Sequence, residues 1–575
     1  MDAPYDVAII GGGPGGSTTG AMLKHYHPGL RVLILERETF PRDHIGESQL
    51  PPISAVLDEM GCWDKVEAAG FPIKVGATYR WGRSPELWNF EFLPLADFRD
   101  EPRPAKFQGQ RKQTAFQVDR SIYDQILLDH ARDLGCEVLE GTKVAQVLHA
   151  GDRVEGLRLE DGRRVEARWY VDASGNAAVL RKAMGVATDC PTKLKCIAIW
   201  DYWENAEWAT HIGIGGTRIQ VMSLAHGWLW FIPIGPTRTS LGFVCPAEHY
   251  KQSGRTPEAL YAEAIQSDER IAGLIRTGSR RGRVESTNDW SFLSERTFGE
   301  NWFLVGETAG FADPILSAGL TLTQTGAREL AYTLGELLVH QEHDPAWLKA
   351  NYNHIQLTRV RQHIRFADYW YACNGQFTDL QAHCAEIARD SGLDLSPEKA
   401  WAWLAQGGFA NDDAGHAQIG GCNLASVKSI TEFIGTGASP WLASECNVFH
   451  LDLEGAVQET LGVYDEGRVN PVGCYRRGSR RFPLTGFFAL WIEVLKGEPH
   501  LERFLPSLLS GLARGRDPQH VPVMLREAFG ALEALIADGW VRAELDPSRP
   551  RLRIETPKEG PMMYWAEAPA TGGRG

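Results

Sequence analysis

Residues 6–16 read Asp-Val-Ala-Ile-Ile-Gly-Gly-Gly-Pro-Gly-Gly. Asp6–Ile10 is a short apolar run, as expected of a strand buried on both faces of a parallel sheet. Gly11, Gly13 and Gly16 then give G-x-G-x-x-G. The first glycine permits a tight turn, the second lets the backbone approach a pyrophosphate, and the third allows close helix–strand packing. Ser17–Tyr26 reads as a helix whose N-terminus suits a phosphate charge. Arg31–Glu36 reads as a second buried strand, and Glu36 stands twenty residues after Gly16, where a carboxylate meets ribose hydroxyls. Strand, glycine turn, helix and strand make a dinucleotide-binding βαβ unit. The pattern does not recur, because Gly213-x-Gly215 lacks the third glycine and a following helix. One tightly bound dinucleotide is expected, with no second site for NADPH.

Further along, Ser121–Leu134 has helical spacing, and Cys136–Leu139, Lys143–Leu148 and Arg153–Leu159 resemble a β-meander. Trp169–Asp172 and Trp302–Val305 are short buried strands, the second followed by a Gly/Ala-rich turn and a helix to about Leu338. Composition shifts near residue 340. Asp344 to about Trp403 is helical and aromatic, and Gln406–Gly421 is a Gly/Asn/Asp-rich loop. Val521–Ala537 reads as a helix followed by two short strands around Asp546-Pro547-Ser548, an order resembling a winged-helix unit. The tail Thr571–Gly575 is expected to be disordered.

The 575 residues correspond to about four domains at roughly 150 residues each. Hydrophobic residues at 43% and charged ones at 23% are those of a globular protein. Fifty-nine Lys and Arg against 73 Asp and Glu leave a net charge of −14, which argues against nucleic acid or an anionic membrane as partner. The sequence shows no apolar run long enough for a membrane helix and no basic n-region before Asp6, so neither a span nor a signal peptide is expected. Ten scattered cysteines without C-x-x-C read as free thiols in a reducing cytoplasm. No metal is expected, because H-E-x-x-H is absent and His340-x-x-His343, with Glu342 beside it, falls short of it. No G-x-S-x-G elbow supports Ser-His-Asp hydrolysis. The 19 tryptophans fit either an aromatic-lined cavity or a bulky core.

Trp302–Val305 with Gly306-Glu307-Thr308-Ala309-Gly310 resembles the flavoprotein segment that holds the FAD ribityl chain, with Glu307 where most relatives carry Asp. Asp172-Ala173-Ser174-Gly175 resembles another segment of that fold. The resemblance implies an α/β protein with an FAD-binding Rossmann-like fold of the p-hydroxybenzoate-hydroxylase type. It would carry an inserted antiparallel β-sheet substrate region at about 70–115 and 185–285 within residues 1–340, and a mainly helical C-terminal region over 341–575. It also implies FAD contacts at Gly11, Gly13, Gly15, Gly16, Glu36, Arg37, Arg120, Gly306, Glu307 and Ala312. Asp289 is read as a surface or capping residue, with an approach to the flavin as the alternative.

Three stretches narrow this further. Trp228-Leu229-Trp230-Phe231-Ile232-Pro233 is W-x-W-x-I-P, Phe311, Pro314, Ser317 and Gly319 fit F-x-x-P-x-x-S-x-G, and Gly70–Gly76 surrounds Lys74. Together they resemble the flavin-dependent halogenases. The resemblance implies that FADH2, supplied by a separate flavin reductase, and O2 form a flavin hydroperoxide that oxidises chloride or bromide to hypohalous acid. Lys74 would be the catalytic residue that directs it to an electron-rich aromatic substrate. The halide would sit on amides of Ser317, Ala318 and Gly319, a nest of donors without a competing charge. Trp228 and Trp230 project to one face of a strand and, with Pro314, would wall the substrate from the flavin. Tryptophan halogenases carry a catalytic Glu just before the motif serine; here that position is Leu316. Its absence favours phenols, pyrroles or a substrate presented on a carrier protein. A flavin monooxygenase or reductase of the same superfamily is the alternative, and a non-catalytic flavoprotein that binds a partner the more distant one.

Overall fold

The computed structural model describes residues 5–374, interrupted at 83–84, 94–97, 193–194, 210, 213–214 and 289–290, and then 418–419, 422–424, 428, 441–478, 480–513, 521–552 and 554. Asp289, Gly213 and the tail from Thr571 therefore lie outside the described residues, as do Trp403 and most of Gln406–Gly421. The chain divides into two compact units. The first holds Met1–Tyr79, Leu95–Ile364 and Tyr464–Val469, and the second Arg80–Pro94, Arg365–Val463 and Asn470–Gly575.

The first unit is built on a five-stranded parallel sheet in the order Trp302–Leu304, Ala167–Asp172, Tyr5–Ile10, Val32–Leu35, Glu137–Leu139. Val7–Ile10 and Val32–Leu35 are buried along their whole length, which is why they read as unbroken apolar runs. Helix Pro14–Tyr26 begins with Pro14 at its first position, where the missing N–H costs nothing. It packs against the sheet and against helix Gly319–Gly335, with Met22, Leu23, Ile34, Leu330 and Leu334 in one core. That second helix passes into a π turn, Glu336–His340. Glu137–Leu139 corrects one expectation. It is the edge strand of the parallel sheet, and the meander is Val144–Ala150, Arg153–Leu159 and Arg164–Val165. A three-residue run has no periodicity of its own to separate the two cases.

A larger antiparallel sheet runs Ser279–Arg280, Cys196–Glu204, Arg238–Pro246, Gly227–Pro233, Gly216–Leu224, Ile73–Arg80. One face is covered by helices Pro257–Ser267 and Glu269–Leu274 through Ile199, Leu229, Phe231, Leu241, Leu260 and Tyr261. The opposite face carries Ala198, Trp200, Val221, Trp228 and Trp230 to the cavity described below.

The second unit has its own aromatic core of Phe449, Phe482, Phe488, Trp491, Phe504, Phe529 and Trp540. Its described part contains helices Gly486–Gly497, Leu501–Ala513 and Val521–Ala537. Strand Val541–Glu544 follows the last helix and pairs with Val448–Leu451, not with a strand directly after Asp546. Lys428 and Glu533 form a buried ion pair at 2.9 Å, and Glu533 also accepts the amides of Leu442 and Ala443. Both carboxylate oxygens are thereby satisfied, which offsets the desolvation of the pair. No described helix in either unit is long and apolar enough to cross a membrane.

Candidate functional site

A cavity of about 650 Å³ opens in the first unit at the carboxyl ends of the parallel strands, where Ile10, Leu35, Ala173 and Val305 reach its wall. This is the edge at which open α/β sheets bind ligands.

The glycine loop forms one side. Gly11 has φ +107°, and a Cβ there would lie 2.4 Å from the Ala173 carbonyl oxygen. A Cβ on Gly16 would lie 1.9 Å from the Gly11 oxygen, so the turn closes only without side chains. Gly11, Gly13 and Gly15 line the cavity, whereas Gly16 packs behind it. Glu36 is buried on the wall; its Oε2 accepts the Gly12 amide at 2.7 Å and its Oε1 the Glu38 amide at 2.9 Å. Each oxygen keeps a second lone pair for a hydroxyl. Arg37 lies at the rim, exposed beside Glu38. Arg120, at the start of helix Arg120–Asp133, forks onto Asp124 at 2.7 and 2.9 Å and donates to the Ile45 carbonyl at 2.7 Å.

Arg42 was not found by sequence reasoning, because a single arginine in a loop carries no pattern. It pairs with Asp124 at 3.2 Å, and its Nη2 would be 3.3 Å from a Cβ on Gly13. Its buried Nη1 has no hydrogen-bond partner among the described residues. A guanidinium with a spare donor beside a glycine loop and a helix N-terminus fits the pyrophosphate of a dinucleotide. His44 lies alongside. Burial, with Arg120 and Arg42 nearby, pushes its imidazole down to about 4, so it is neutral near pH 7 and adds no charge.

The ribityl-type turn closes the same side. Gly306 has φ +64° and faces Thr323. Glu307 lines the cavity, and burial raises its carboxyl above the usual range against the pull of Arg120. Ala312 is buried, accepts the Ser291 hydroxyl at its carbonyl, and does not reach the cavity wall.

Tryptophans form the opposite side. The rings of Trp228 and Trp230 are 6.0 Å apart at 54°, and Trp200 is 6.5 Å from Trp230. Gly242 stands in register with Trp200 on one neighbouring strand and Trp230 on the other. A Cβ on Gly242 would fall 2.1 Å from the Trp230 ring, so this glycine makes the room for it. Trp230 donates from Nε1 to Ser240 Oγ at 3.1 Å. Trp200 and Gly242 escaped sequence reasoning, since their role depends on strand register.

Pro314, Ser317 and Gly319 reach the cavity from the turn before helix Gly319–Gly335, while Ala318 is buried behind it. Ser317 is the left-handed residue, at φ +56°, and its amide donates to the Pro314 carbonyl at 3.0 Å. The amides of Ala318 and Gly319 stand at the helix N-terminus, where no intrahelical carbonyl takes them. Gly319 has no positive φ; a side chain there would instead meet the Phe311 ring at 2.9 Å.

Lys74 is 1% exposed on strand Ile73–Arg80, opposite Ala115, and is not among the cavity-lining residues. Glu47, a further residue missed in the sequence, does line it. Burial pushes its carboxyl up to about 7, against the Tyr202 hydroxyl that donates to it at 2.9 Å and the nearby Arg120. Among the described residues no group of three or more His, Cys, Asp or Glu is arranged to hold a metal.

The family model described as tryptophan halogenase matches residues 6–102 and 98–379. The chain is 30% identical over 393 residues to the 1H-pyrrole-2-carbonyl (peptidyl-carrier protein) chlorinase of Pseudomonas fluorescens, covering 66% of this chain and 86% of that one. Among solved structures it is similar to the myxobacterial chondrochloren halogenase CndH, at 29% identity and TM-score 0.57, over 69% of this chain and 92% of the other. It shares the fold of the flavin-dependent halogenase CmlS at 23% identity and TM-score 0.70, over 98% of this chain and all of the other.

Proposed function

The chain belongs to the tryptophan halogenase family, and from that premise we propose that it chlorinates or brominates an electron-rich aromatic substrate, with Lys74 directing the halogen. It is a flavin-dependent halogenase, an oxidoreductase that uses FAD and halide. The observation that supports the detailed reading is one cavity with a glycine cradle on one side and tryptophans on the other.

Bound and reduced, the flavin supplies with O2 the oxidation of halide to hypohalous acid. The protein's part is holding and excluding. Arg42 and the amides that follow Gly13 bind the pyrophosphate, flanked by Arg37 and Arg120. Glu36 accepts ribose hydroxyls, and Glu307 accepts one from the ribityl chain. Amides of Ala318 and Gly319 hold the halide. Trp228, Trp230 and Pro314 keep the organic substrate off the flavin, so that only small species meet there. Lys74 then hydrogen-bonds the hypohalous acid and presents its halogen to one carbon.

On this reading residues 1–340 are the halogenating core, with a substrate side at about 70–115 and 185–285, and 341–575 a C-terminal region, although the compact units depart from these bounds at 80–94, 341–364 and 464–469. Leu316 supplies no carboxylate where tryptophan halogenases carry Glu. The similar pseudomonad enzyme acts on a pyrrole held by a peptidyl carrier. Both favour a phenol or pyrrole, presented on a carrier protein. A separate flavin reductase delivers the reduced cofactor, since the sequence holds one dinucleotide fingerprint.

The test is incubation with a flavin reductase, NADH, FAD, bromide and a panel of phenols, pyrroles and carrier-bound acids, with mass spectrometry for halogen isotope pairs. Hydroxylated product without halogen would overturn the reading. Lys74→Ala is expected to lose about a hundredfold or more in halogenation while flavin oxidation and peroxide formation continue.

A further inference from the structure

Successive rows of side chains cross the cavity face of the antiparallel sheet. Trp200, Gly242 and Trp230 make one row, and Tyr202, Ser240 and Ile232 the next. Glu204 opposite Arg238 follows in the row beyond. Residues two apart on each strand share a face, so the rows form one continuous surface. Glu47, from a different segment of the chain, lies against the second row. Its Oε1 accepts the Tyr202 hydroxyl at 2.9 Å, and the Ser240 hydroxyl also stabilises its charged form. Ser240 Oγ in turn accepts the Trp230 indole N–H at 3.1 Å. Towards the surface, Arg238 stacks over the Tyr202 ring at 4.1 Å and pairs with Asp119 at 2.6 Å and Asp43 at 3.3 Å.

Five carboxyls line the cavity among the described residues. Glu36 accepts the amides of Gly12 and Glu38, Glu38 and Asp43 are exposed, and Glu307 stands in the ribityl-type turn. Glu47 is the one tied to the tryptophan face, and it is 2% exposed. Halide oxidation consumes a proton: X− + O2 + FADH2 + H+ gives HOX, FAD and water. Flavin and halide give two electrons each, and the O–O bond breaks. One oxygen bonds the halogen, and the other takes the proton and leaves as water. A wall of indoles keeps bulk water from this side, so the proton has to come from a group in the wall.

We infer that Glu47 is the acid that supplies this proton, delivering it to the departing oxygen from the tryptophan side of the cavity. The inference rests on the reading that halide is oxidised in this cavity behind the tryptophans. The carboxylate left behind is held by the Tyr202 and Ser240 hydroxyls and faced by the charges of Arg120 and Arg238. Arg120 is itself paired with Asp124, and Arg238 with Asp119 and Asp43. His44, beside Arg120, is neutral near pH 7 and does not compete as a donor. Between turnovers Glu47 takes a proton back from solvent. A carboxyl in this setting acts directly or through one water, the reach of a general acid.

The experiment compares Glu47→Gln, Glu47→Asp and Ser240→Ala with the parent. It measures FAD affinity, halogenated product and peroxide per NADH oxidised from pH 6 to 9, and the infrared carbonyl band of protonated carboxyls in the flavin-free protein. Glu47→Gln is expected to bind FAD within about twofold of the parent and to lose product about a hundredfold, with peroxide in its place. Glu47→Asp should recover part of that loss. Burial holds the Glu47 carboxyl up to about 7, so the parent's product should give way to peroxide as pH rises through that value and the acid form is lost. The infrared band should fade over the same range and be missing from Glu47→Gln. Ser240→Ala keeps the carboxyl but cuts its link to Trp230. It should retain most of the product and lose it at higher pH than the parent, because a hydroxyl that favours the charged form is gone. Parental yield in Glu47→Gln overturns the inference. So does an equal loss in Ser240→Ala, which would make Glu47 a prop for Trp230, and so does a loss of product that follows a loss of FAD. If the parent itself hydroxylates without halogenating, the reading beneath the inference fails, whatever Glu47 does. If parent and Glu47→Gln both halogenate normally, only the proton donor fails.

Discussion

The glycine loop at Gly11–Gly16 and the tryptophan row of Trp200, Gly242 and Trp230 bound the same cavity, and both depend on the absence of a Cβ. The reasons differ. At Gly11 and Gly16 the obstacle is backbone oxygen, at 2.4 and 1.9 Å, within a turn closed by neighbours in sequence or by the adjacent strand. At Gly242 the obstacle is an indole from the next strand, at 2.1 Å. A main-chain oxygen in a parallel-sheet turn cannot move without opening the turn. An indole can rotate, at the expense of the wall it forms. The first region holds a ligand with its backbone, and the second shapes access with side chains.

The largest effect expected from this contrast is at Gly11. Gly11→Ala forces a Cβ against Ala173 at positive φ, for a cost of roughly 2–5 kcal/mol. FAD affinity should fall by about a hundredfold or more, read by flavin fluorescence titration. FAD binding at parental strength would remove the glycine loop from the cofactor site.

Next comes a pair of variants that should fail in opposite ways. Gly319→Leu pushes on Phe311 and crowds the amides of Ala318 and Gly319. It should raise the bromide concentration for half-maximal product by about tenfold, for a loss of roughly 1.4 kcal/mol, with FAD binding retained. Trp228→Ala with Trp230→Ala should leave the bromide dependence intact and raise uncoupled peroxide several-fold. If both behave like the parent, the aromatic wall and the halide turn are packing features only.

Gly242→Ala sharpens the comparison. The added methyl must displace the Trp230 ring, and overpacking of this kind costs about 1–3 kcal/mol. The melting temperature should drop, and peroxide release should rise without loss of FAD. Loss of FAD instead would mean that the two sides of the cavity are not independent.

What the sequence made legible follows the same division. The loop, its helix and Glu36 lie within 31 residues, and each glycine has a stated backbone reason. The βαβ unit could therefore be read directly, with strand ends within a residue or two of those observed. The tryptophan wall was visible only as the pair Trp228 and Trp230, because alternation along one strand is local information. Trp200 joins them through a register set by Gly242 on the strand between, some forty residues further on. Arg42 and Glu47 were invisible for a related reason. Their importance lies in being buried with spare or shifted polar groups, which depends on the surrounding tertiary structure. Glu137–Leu139 shows the limit for strands, since three residues pair wherever a neighbour is offered.

A pH-dependent effect is expected at Glu47, which belongs to neither wall but lines the cavity. Burial raises its carboxyl from the ordinary range near 4.5 to about 7. Between those values the folded protein keeps a proton that the unfolded chain has released. Stability from this group therefore falls as pH rises through the window and levels off above about pH 7, where both states are ionised. His44 acts in the opposite sense. Its imidazole is lowered to about 4, so the folded state becomes relatively more stable as pH rises from there towards 6.5. The two slopes offset each other over much of the range, and the parent's own profile would hide both. Glu47→Gln removes one of them while keeping an oxygen for the Tyr202 hydroxyl. Melting temperatures of the flavin-free variant and parent at pH 5, 6, 7 and 8 should diverge progressively up to about pH 7, with the variant relatively more stable at the higher values. Parallel profiles across that range would mean that Glu47 titrates as an ordinary surface carboxylate, and that solvent reaches it from the cavity.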